Sequence, residues 1–110
     1  MVKPINVGGE NVFPDEVEAV LKYHPDVADA AVVGVDDRRS GQRLVALIQP
    51  TDGSVPDLDE LTRFSAARIV GYRMPRTIVL VDTIKRLESG RPDYEWARAL
   101  ATERALEGGR

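Results

Sequence analysis

Two adjacent glycines near the start of the chain are the first residues to which a chemical role can be attached. Gly8 and Gly9 are followed by Glu10 and Asn11, and Pro14 comes three residues later. Glycine adopts positive φ angles at little cost and has no side chain, so a ligand or another backbone can approach it closely. The pair therefore predicts a tight loop able to hold the backbone against a bound group. A plain surface turn is the alternative.

Carboxylates, histidine and cysteine limit the other chemistry of the chain. Glu10 and Glu18 could form a pair for acid–base work, but we interpret both as first-turn acids that complement a helix dipole. The single histidine, His24, is interpreted as structural, and the sequence contains no cysteine. These counts exclude disulfides, a thiolate nucleophile, zinc–thiolate sites and a multi-histidine metal site. No metal site is predicted.

Composition indicates one small globular domain. The chain has 110 residues, of which 43% are hydrophobic, and 15 basic residues face 18 acidic ones for a formal net charge of -3. There is no basic excess, so nucleic acid is excluded as a predicted partner. The sequence shows neither the apolar core of a signal peptide nor a stretch of membrane-spanning length. We therefore expect a cytoplasmic protein.

The elements that must position these residues follow from apolar spacing and from glycine and proline. Residues 1–13 are predicted to be extended or looped, and residues 107–110 to fray. Asp57 is a predicted N-cap with Glu60 in a capping box, and Gly71 is a predicted C-terminal cap. The predicted helices start at Pro14, Asp57 and Asp93 and end near Tyr23, Val70 and Leu106. The predicted strands are Val27–Val35 and Arg43–Pro50, paired antiparallel, then Thr77–Val81 and a short strand at Ile84–Leu87.

Four segments, in this order, resemble motifs of the C-terminal domain of the adenylate-forming superfamily. That superfamily includes acyl- and aryl-CoA synthetases, nonribosomal peptide adenylation domains and luciferases. The segments are GGENVFPDEVE at 8–18, HPDVADAAVVGVDDRRSGQ at 24–42, GYRMPR at 71–76 and LESGRPDYEWAR at 87–98. The second and fourth favour the acyl-CoA synthetase branch. The expected fold is α+β: a small three-stranded sheet, with a short extra strand, covered by about three helices.

The resemblance implies a mobile lid on a large N-terminal domain, which holds ATP, magnesium and the carboxylic acid. The lid first closes to help form an acyl-adenylate, and a lysine in a Ser-Gly-Lys turn reaches the reacting groups. It then rotates, and the loop of Gly8, Gly9, Glu10 and Asn11 lines the tunnel of the CoA pantetheine arm. Arg91 stands at the lysine position in this chain. Because arginine and lysine are not interchangeable at a shaped site, we predict weak adenylation. A solvated surface role is the alternative.

Further roles are implied by the same resemblance. Arg38, Arg39 and Arg73 could meet the nucleotide end of CoA, with a solvated turn and surface packing as the alternatives. The hinge of the family would fall at Val2 or Lys3, and Lys3 is the candidate, although the usual preceding residues are absent. We expect residues 1–110 to be a single excised lid domain whose first seven residues are the remnant of a linker.

These observations predict the C-terminal domain of an ATP-dependent acyl-CoA ligase, which converts a carboxylic acid, ATP and CoA into acyl-CoA, AMP and pyrophosphate. The predicted partners are the N-terminal domain of the same ligase and CoA. The isolated domain should be inactive, because ATP, AMP, magnesium and CoA are bound mainly by the N-terminal domain. Two alternatives remain open at this point. One is a free-standing lid-like module that acts in trans on a partner, and the other is a nonribosomal adenylation lid that loads a carrier protein.

Overall fold

A computed structural model describes residues 3–39, 41–69 and 74–107 and confirms the predicted α+β class. Three helices cover a three-stranded sheet, and a separate two-stranded hairpin precedes them. In chain order the elements are β1 (Ile5–Val7), β2 (Glu10–Val12), α1 (Pro14–Leu21), β3 (Val27–Asp37), β4 (Gly41–Pro50), α2 (Leu58–Ala66), β5 (Thr77–Leu80) and α3 (Tyr94–Glu107).

The sheet has the strand order β3-β4-β5. The predicted antiparallel pairing of β3 and β4 is confirmed, and its register runs from Val27 opposite Pro50 to Asp37 opposite Gly41. β5 lies parallel to β4, as the intervening helix α2 allows, because parallel neighbours need a long crossover. The central segment 44–48 of β4 is buried throughout. That burial on both faces explains its continuous apolar sequence.

Alternate residues of β3 and β4 point to two separate buried clusters. One face of the sheet packs against the hairpin, α1 and α2, with Ile5, Leu21 and Leu61 among its buried partners. We call it the hairpin face. The opposite face packs against Ile84 and Ala97, together with other residues of α3. We call it the α3 face. Each face of the sheet therefore carries its own set of connecting segments.

Several predicted boundaries need correction. Residues 5–12 form an antiparallel hairpin rather than plain loop, because three-residue strands are too short to show an alternating pattern. The predicted strand at 84–87 is wrong, and that segment makes one isolated bridge, Arg86 to Pro92. α2 ends at Ala66 rather than near residue 70. The predicted cap Gly71 and residues 108–110 of the predicted tail lie outside the described residues.

The predicted cap of α2 is confirmed. Asp57 Oδ1 accepts hydrogen bonds from the backbone N–H groups of Asp59 and Glu60 at 2.9 and 3.3 Å. The Glu60 carboxylate, predicted to complete a capping box, is turned instead towards His24, with 3.0 Å between Glu60 Oε1 and His24 Nε2. Within the described ranges, no helix is both long and apolar enough to cross a bilayer.

Candidate functional site

The Gly8–Gly9 pair forms the two-residue turn of the β1–β2 hairpin, between the paired residues Val7 and Glu10. Its φ angles are 59° at Gly8 and 89° at Gly9. Positive φ at both central positions defines the turn type that matches the twist of a hairpin, and it favours glycine. A Cβ on either glycine would meet nothing within 4 Å. The tip of the hairpin is therefore bare backbone facing open space, as the predicted close approach requires.

The hairpin is anchored on the sheet through Gly34. A Cβ on Gly34 would lie 2.6 Å from Ile5 Cγ2 and 2.9 Å from Gln42 Nε2, so the missing side chain makes room for both. The backbone N–H of Asn6 donates to Gln42 Oε1 over 3.3 Å, and Val12 is buried. Sequence reasoning missed this role. A glycine inside a β-branched strand is the signal that could have revealed it.

The Ser89-Gly90-Arg91 turn precedes α3 and is closed by its own backbone. Leu87 N–H donates to the Arg91 carbonyl over 2.8 Å, and Gly90 N–H donates to the Leu87 carbonyl over 2.9 Å. Gly90 has a φ of 92°, which again favours glycine. Arg91 is exposed on this turn. The arginine at the position implied by the resemblance therefore lies on a defined turn beside the α3 face.

The two other cations of this segment are engaged by nearby carboxylates. Arg86 donates from Nε to Asp29 Oδ2 over 2.9 Å and from Nη2 to Asp29 Oδ1 over 2.6 Å, which makes the contact bidentate. Arg86 Nη1 also donates to the carbonyl oxygen of Gly90. Lys85 Nζ lies 3.9 Å from Asp93 Oδ2. Their spacing does not match the family's lysine, and the structure ties Arg86 firmly to the sheet.

Glu18 is a buried carboxylate, with only 4% of its surface exposed. It accepts hydrogen bonds from Val32 N–H at 2.9 Å and from the Tyr94 hydroxyl at 2.8 Å to Oε2 and 3.1 Å to Oε1. Burial raises the pKa of Glu18 against the opposing effect of these hydrogen bonds. Burial, followed by the bond to Glu18, raises the pKa of Tyr94. Glu18 therefore ties α1 to β3 and α3.

The interpretation of Glu10 and Glu18 as first-turn acids is wrong for both residues. Glu10 is exposed on strand β2 of the hairpin, and Glu18 is turned inward from α1 because Val32 and Tyr94 supply its hydrogen bonds. A carboxylate paired for acid–base work is equally unsupported, since the hydrogen bonds of Glu18 come from a backbone amide and a phenol. The acids of the first turn are Asp15 and Glu16.

A cleft of about 880 Å³ opens beside the turn between β3 and β4. It brings together three residues predicted from the sequence, Lys3, Arg38 and Arg39, and adds two that sequence reasoning missed. The added residues are Arg43 on β4 and Arg98 on α3. Their positions on different elements left no signal in the linear sequence. Arg73, the remaining predicted contact, lies outside the described residues.

The cleft is electropositive. Its lining contains five cations and only two carboxylates, those of Asp36 and Asp37, although the whole chain has a net charge of -3. The buried Nε of Arg43 has no hydrogen-bond partner among the described residues. Guanidinium groups present forked donors that match phosphate and carboxylate oxygens. This arrangement is chemically suited to an anion with several oxygens.

His24, Asp26 and Glu60 form a second polar cluster, of a type that could hold a metal ion. His24 is buried, and its Nδ1 accepts a hydrogen bond from Asp26 N–H at 3.0 Å. The proton of the neutral ring therefore sits on Nε2, which donates to Glu60 Oε1 over 3.0 Å. The edge of the ring also packs on Phe64. Because both nitrogens are already used, this cluster is a structural tie between α1 and α2, in line with the interpretation of His24.

Comparison with known proteins identifies the family. The family described as AMP-binding enzyme C-terminal domain matches residues 16–91. A medium/long-chain-fatty-acid–CoA/3-oxocholest-4-en-26-oate–CoA ligase of Mycolicibacterium smegmatis is 52% identical over 103 residues, covering 94% of this chain and 19% of that protein. A 3-oxocholest-4-en-26-oate–CoA ligase of Rhodococcus rhodochrous is 51% identical over 94 residues, covering 86% of this chain and 17% of that protein.

A solved structure supports the same assignment. The amide bond synthetase McbA from Marinactinospora thermotolerans superimposes with a TM-score of 0.83 at 35% identity, covering 90% of this chain and 20% of that one. The chain thus spans about a fifth of the length of the proteins it resembles. The matched segment includes most of the sheet, α1 and α2, and it ends at Arg91. The chain belongs to the AMP-binding enzyme C-terminal domain family.

Proposed function

We propose that this chain acts as the mobile C-terminal domain of an ATP-dependent acyl-CoA ligase. The observation that carries the proposal is the separation of two built turns. The Gly8–Gly9 hairpin packs on one face of the sheet through Ile5. The Arg91 turn follows Ile84, which packs on the other face. A lid that presents different surfaces in two successive steps needs such an arrangement, and lid motion commonly governs turnover.

In the first step, Arg91 would supply positive charge to the reacting carboxylate and phosphate. Preorganised charge aimed at a developing negative centre is a large contribution to catalysis. The guanidinium is bulkier than an ammonium and donates in a plane, so its fit at a site shaped for lysine is imperfect. We therefore expect slow formation of the acyl-adenylate. Magnesium and most contacts to ATP would belong to the larger domain, which lies outside this chain.

In the second step, the backbone of Gly8 and Gly9 would line the path of the pantetheine arm, with Glu10 and Asn11 on the exposed strand beside it. The basic cleft would then take the phosphates at the nucleotide end of CoA. The cleft starts at Lys3 and Ile5, next to the hairpin base, and its forked cations suit phosphate oxygens. Arg73 remains a predicted contact of the same kind, and Lys3 remains the predicted hinge.

Binding of adenosine 3′,5′-bisphosphate tests the cleft in this chain without any other domain. Isothermal titration calorimetry should detect its binding. Arg43→Gln should weaken it about tenfold, which is the size of one charged hydrogen bond. Arg63→Gln is the matched control, because Arg63 is an exposed arginine of α2 outside the cleft. Equal affinity in the two variants would remove the cleft from the proposed site.

The whole function is tested by joining this chain to the larger domain of the Mycolicibacterium smegmatis relative, in place of that protein's own C-terminal fifth. The joined ligase should exchange pyrophosphate with ATP when given a fatty acid, and it should form the CoA thioester. The 110-residue chain alone should do neither. Activity of the chain alone, or a joined ligase inactive in both steps although folded, would contradict the proposal.

One solved relative keeps a second acceptor in view. The McbA structure is that of an amide bond synthetase, so a domain of this family is also found where the acyl group goes to an amine. The two alternatives drawn from the sequence, a carrier-protein thiol as acceptor and a lid acting in trans, therefore stay predictions. Offering the joined ligase CoA, a loaded carrier protein or an amine separates the acceptors directly. Mixing the unjoined chain with the larger domain tests action in trans.

A further inference from the structure

The Arg91 turn is fastened to the sheet by a contact that spans 57 residues of sequence, from Asp29 to Arg86. Asp29 follows a register irregularity in β3, between Val27 and Asp29. Such bulges turn a side chain away from its regular direction. The Asp29 carboxylate also accepts a hydrogen bond from Ala30 N–H at 2.9 Å. Its direction is therefore fixed before Arg86 reaches it.

The charge on this carboxylate is secure. Partial burial of Asp29 opposes ionisation, but hydrogen bonds from Arg86 and Ala30 N–H outweigh it and lower the pKa of Asp29 below its usual value. The bond to Asp29 likewise raises the pKa of Arg86. Both groups remain charged at every pH at which a ligase would work. The bidentate geometry adds direction to the attraction.

The third bond of Arg86 determines what this contact does. It ends on the carbonyl of Gly90, the residue directly before Arg91, and Gly90 has the positive φ of 92° that glycine adopts most freely. Without that bond, the tip of the turn would depend on its own backbone bonds alone. A charged side chain displaced by about 1 Å can reduce catalysis by roughly a hundredfold. The fork of Arg86 therefore lies where it limits such displacement.

We infer that Asp29 and Arg86 are positioning residues for the adenylation step, because they hold the Gly90 carbonyl and thereby present Arg91 in one place. This inference rests on the proposed function, in which Arg91 serves that step. Arg86 and Asp29 touch no substrate in this role and act only through the turn. Their effect should therefore fall on one half-reaction and leave the other, which uses the hairpin, nearly unchanged.

Two measurements test the inference independently. In the chain itself, ¹⁵N relaxation should show Arg86→Gln lowering the order parameters of Gly90 and Arg91 while those of Gly8 and Gly9 stay constant. In the joined ligase, Arg86→Gln and Asp29→Asn should each slow adenylation about tenfold. Thioester formation from supplied acyl-adenylate should change by less than about twofold. Arg86→Lys should be intermediate in both measurements, since an ammonium keeps the charge but loses the fork.

Lys85→Gln is the matched control, because Lys85 is the adjacent cation and its carboxylate partner is 3.9 Å away. It should leave both half-reactions unchanged. Full rescue by Arg86→Lys, unchanged order parameters, or equal losses in the two half-reactions would each overturn the positioning role. A joined wild-type ligase that forms no acyl-adenylate would defeat the proposed function instead, and the relaxation result would still report whether Arg86 orders the turn.

Discussion

The Gly8–Gly9 turn and the Arg91 turn are both short, exposed and shaped by glycine, but they are held in place by different forces. The first sits on apolar contacts, with Ile5 packed against the space that Gly34 leaves open. The second is fastened by a charged fork between Arg86 and Asp29. Steric packing does not depend on salt or pH, whereas exposed ion pairs are screened by salt.

The difference matches what each turn is proposed to do. A backbone path for the pantetheine arm needs shape, and buried apolar neighbours fix shape well. A cation that must meet developing negative charge needs a fixed direction, which a bidentate contact provides. The comparison implies that substitutions at the two anchors should separate the two half-reactions. Each prediction below concerns one anchor or the link between them.

The largest effect is expected at Arg91. In the joined ligase, Arg91→Ala should slow adenylation by about 10²–10³-fold, because one electrostatic contact to the transition state is lost. Arg91→Lys should raise it above the starting chain, since lysine is the residue for which the family's site is shaped. Single-turnover pyrophosphate release measures this step. Thioester formation from supplied acyl-adenylate is the internal control, and an equal fall there would remove the contrast between the two turns.

A smaller effect, in the opposite half-reaction, is expected at Gly34. Gly34→Ala places a Cβ 2.6 Å from Ile5 Cγ2, so the hairpin must shift on the sheet. Overpacking of this kind costs roughly 1–3 kcal/mol in the free energy of unfolding. Urea denaturation measures that loss, and thioester formation should slow more than adenylation. Gly53→Ala is a control for glycine itself, because Gly53 has open space around it; a selective effect there would discredit the steric explanation.

The sequence predicted the parts of this fold that depend on local patterns. The β-branched run after His24, the cap at Asp57 and the glycine pair each carry their signal within a few residues. For the same reason, the place of Arg91 on a turn before the last helix was predictable from Ser89-Gly90 and from the motif around it. These features need no knowledge of distant neighbours.

The missed features depend on contacts between distant segments. Asp29 and Arg86 are 57 residues apart, and Arg43 and Arg98 meet at the cleft from β4 and α3. Glu18 looked like a surface acid of α1 because nothing near it in sequence shows that Tyr94 will cover it. Anchors and clefts assembled in this way are not visible in one sequence without its fold.

Glu18 tests whether the two turns are independent, because it joins α1, which follows the hairpin, to Tyr94, which follows Arg91. Burial raises the pKa of Glu18 above its ordinary value of 4.5. A folded state that holds the proton more tightly is favoured below the ordinary pKa and loses that advantage as pH rises through the raised one. Glu18→Gln removes this dependence. Relative to the variant, the wild-type chain should therefore lose up to about 1.4 kcal/mol of stability per pH unit in that window.

Urea denaturation of both chains from pH 4 upward measures this effect, which is the smallest of the three because an amide still accepts the bonds of Val32 and Tyr94. Asp29→Asn is the contrasting control. The pKa of Asp29 is lowered, so its contribution is present above the ordinary pKa and is lost only towards acid. In the joined ligase, Glu18→Gln should change both half-reactions equally, since it supports the common frame of the sheet. A selective loss of one half-reaction would show that the tie through Tyr94 transmits the position of one turn to the other.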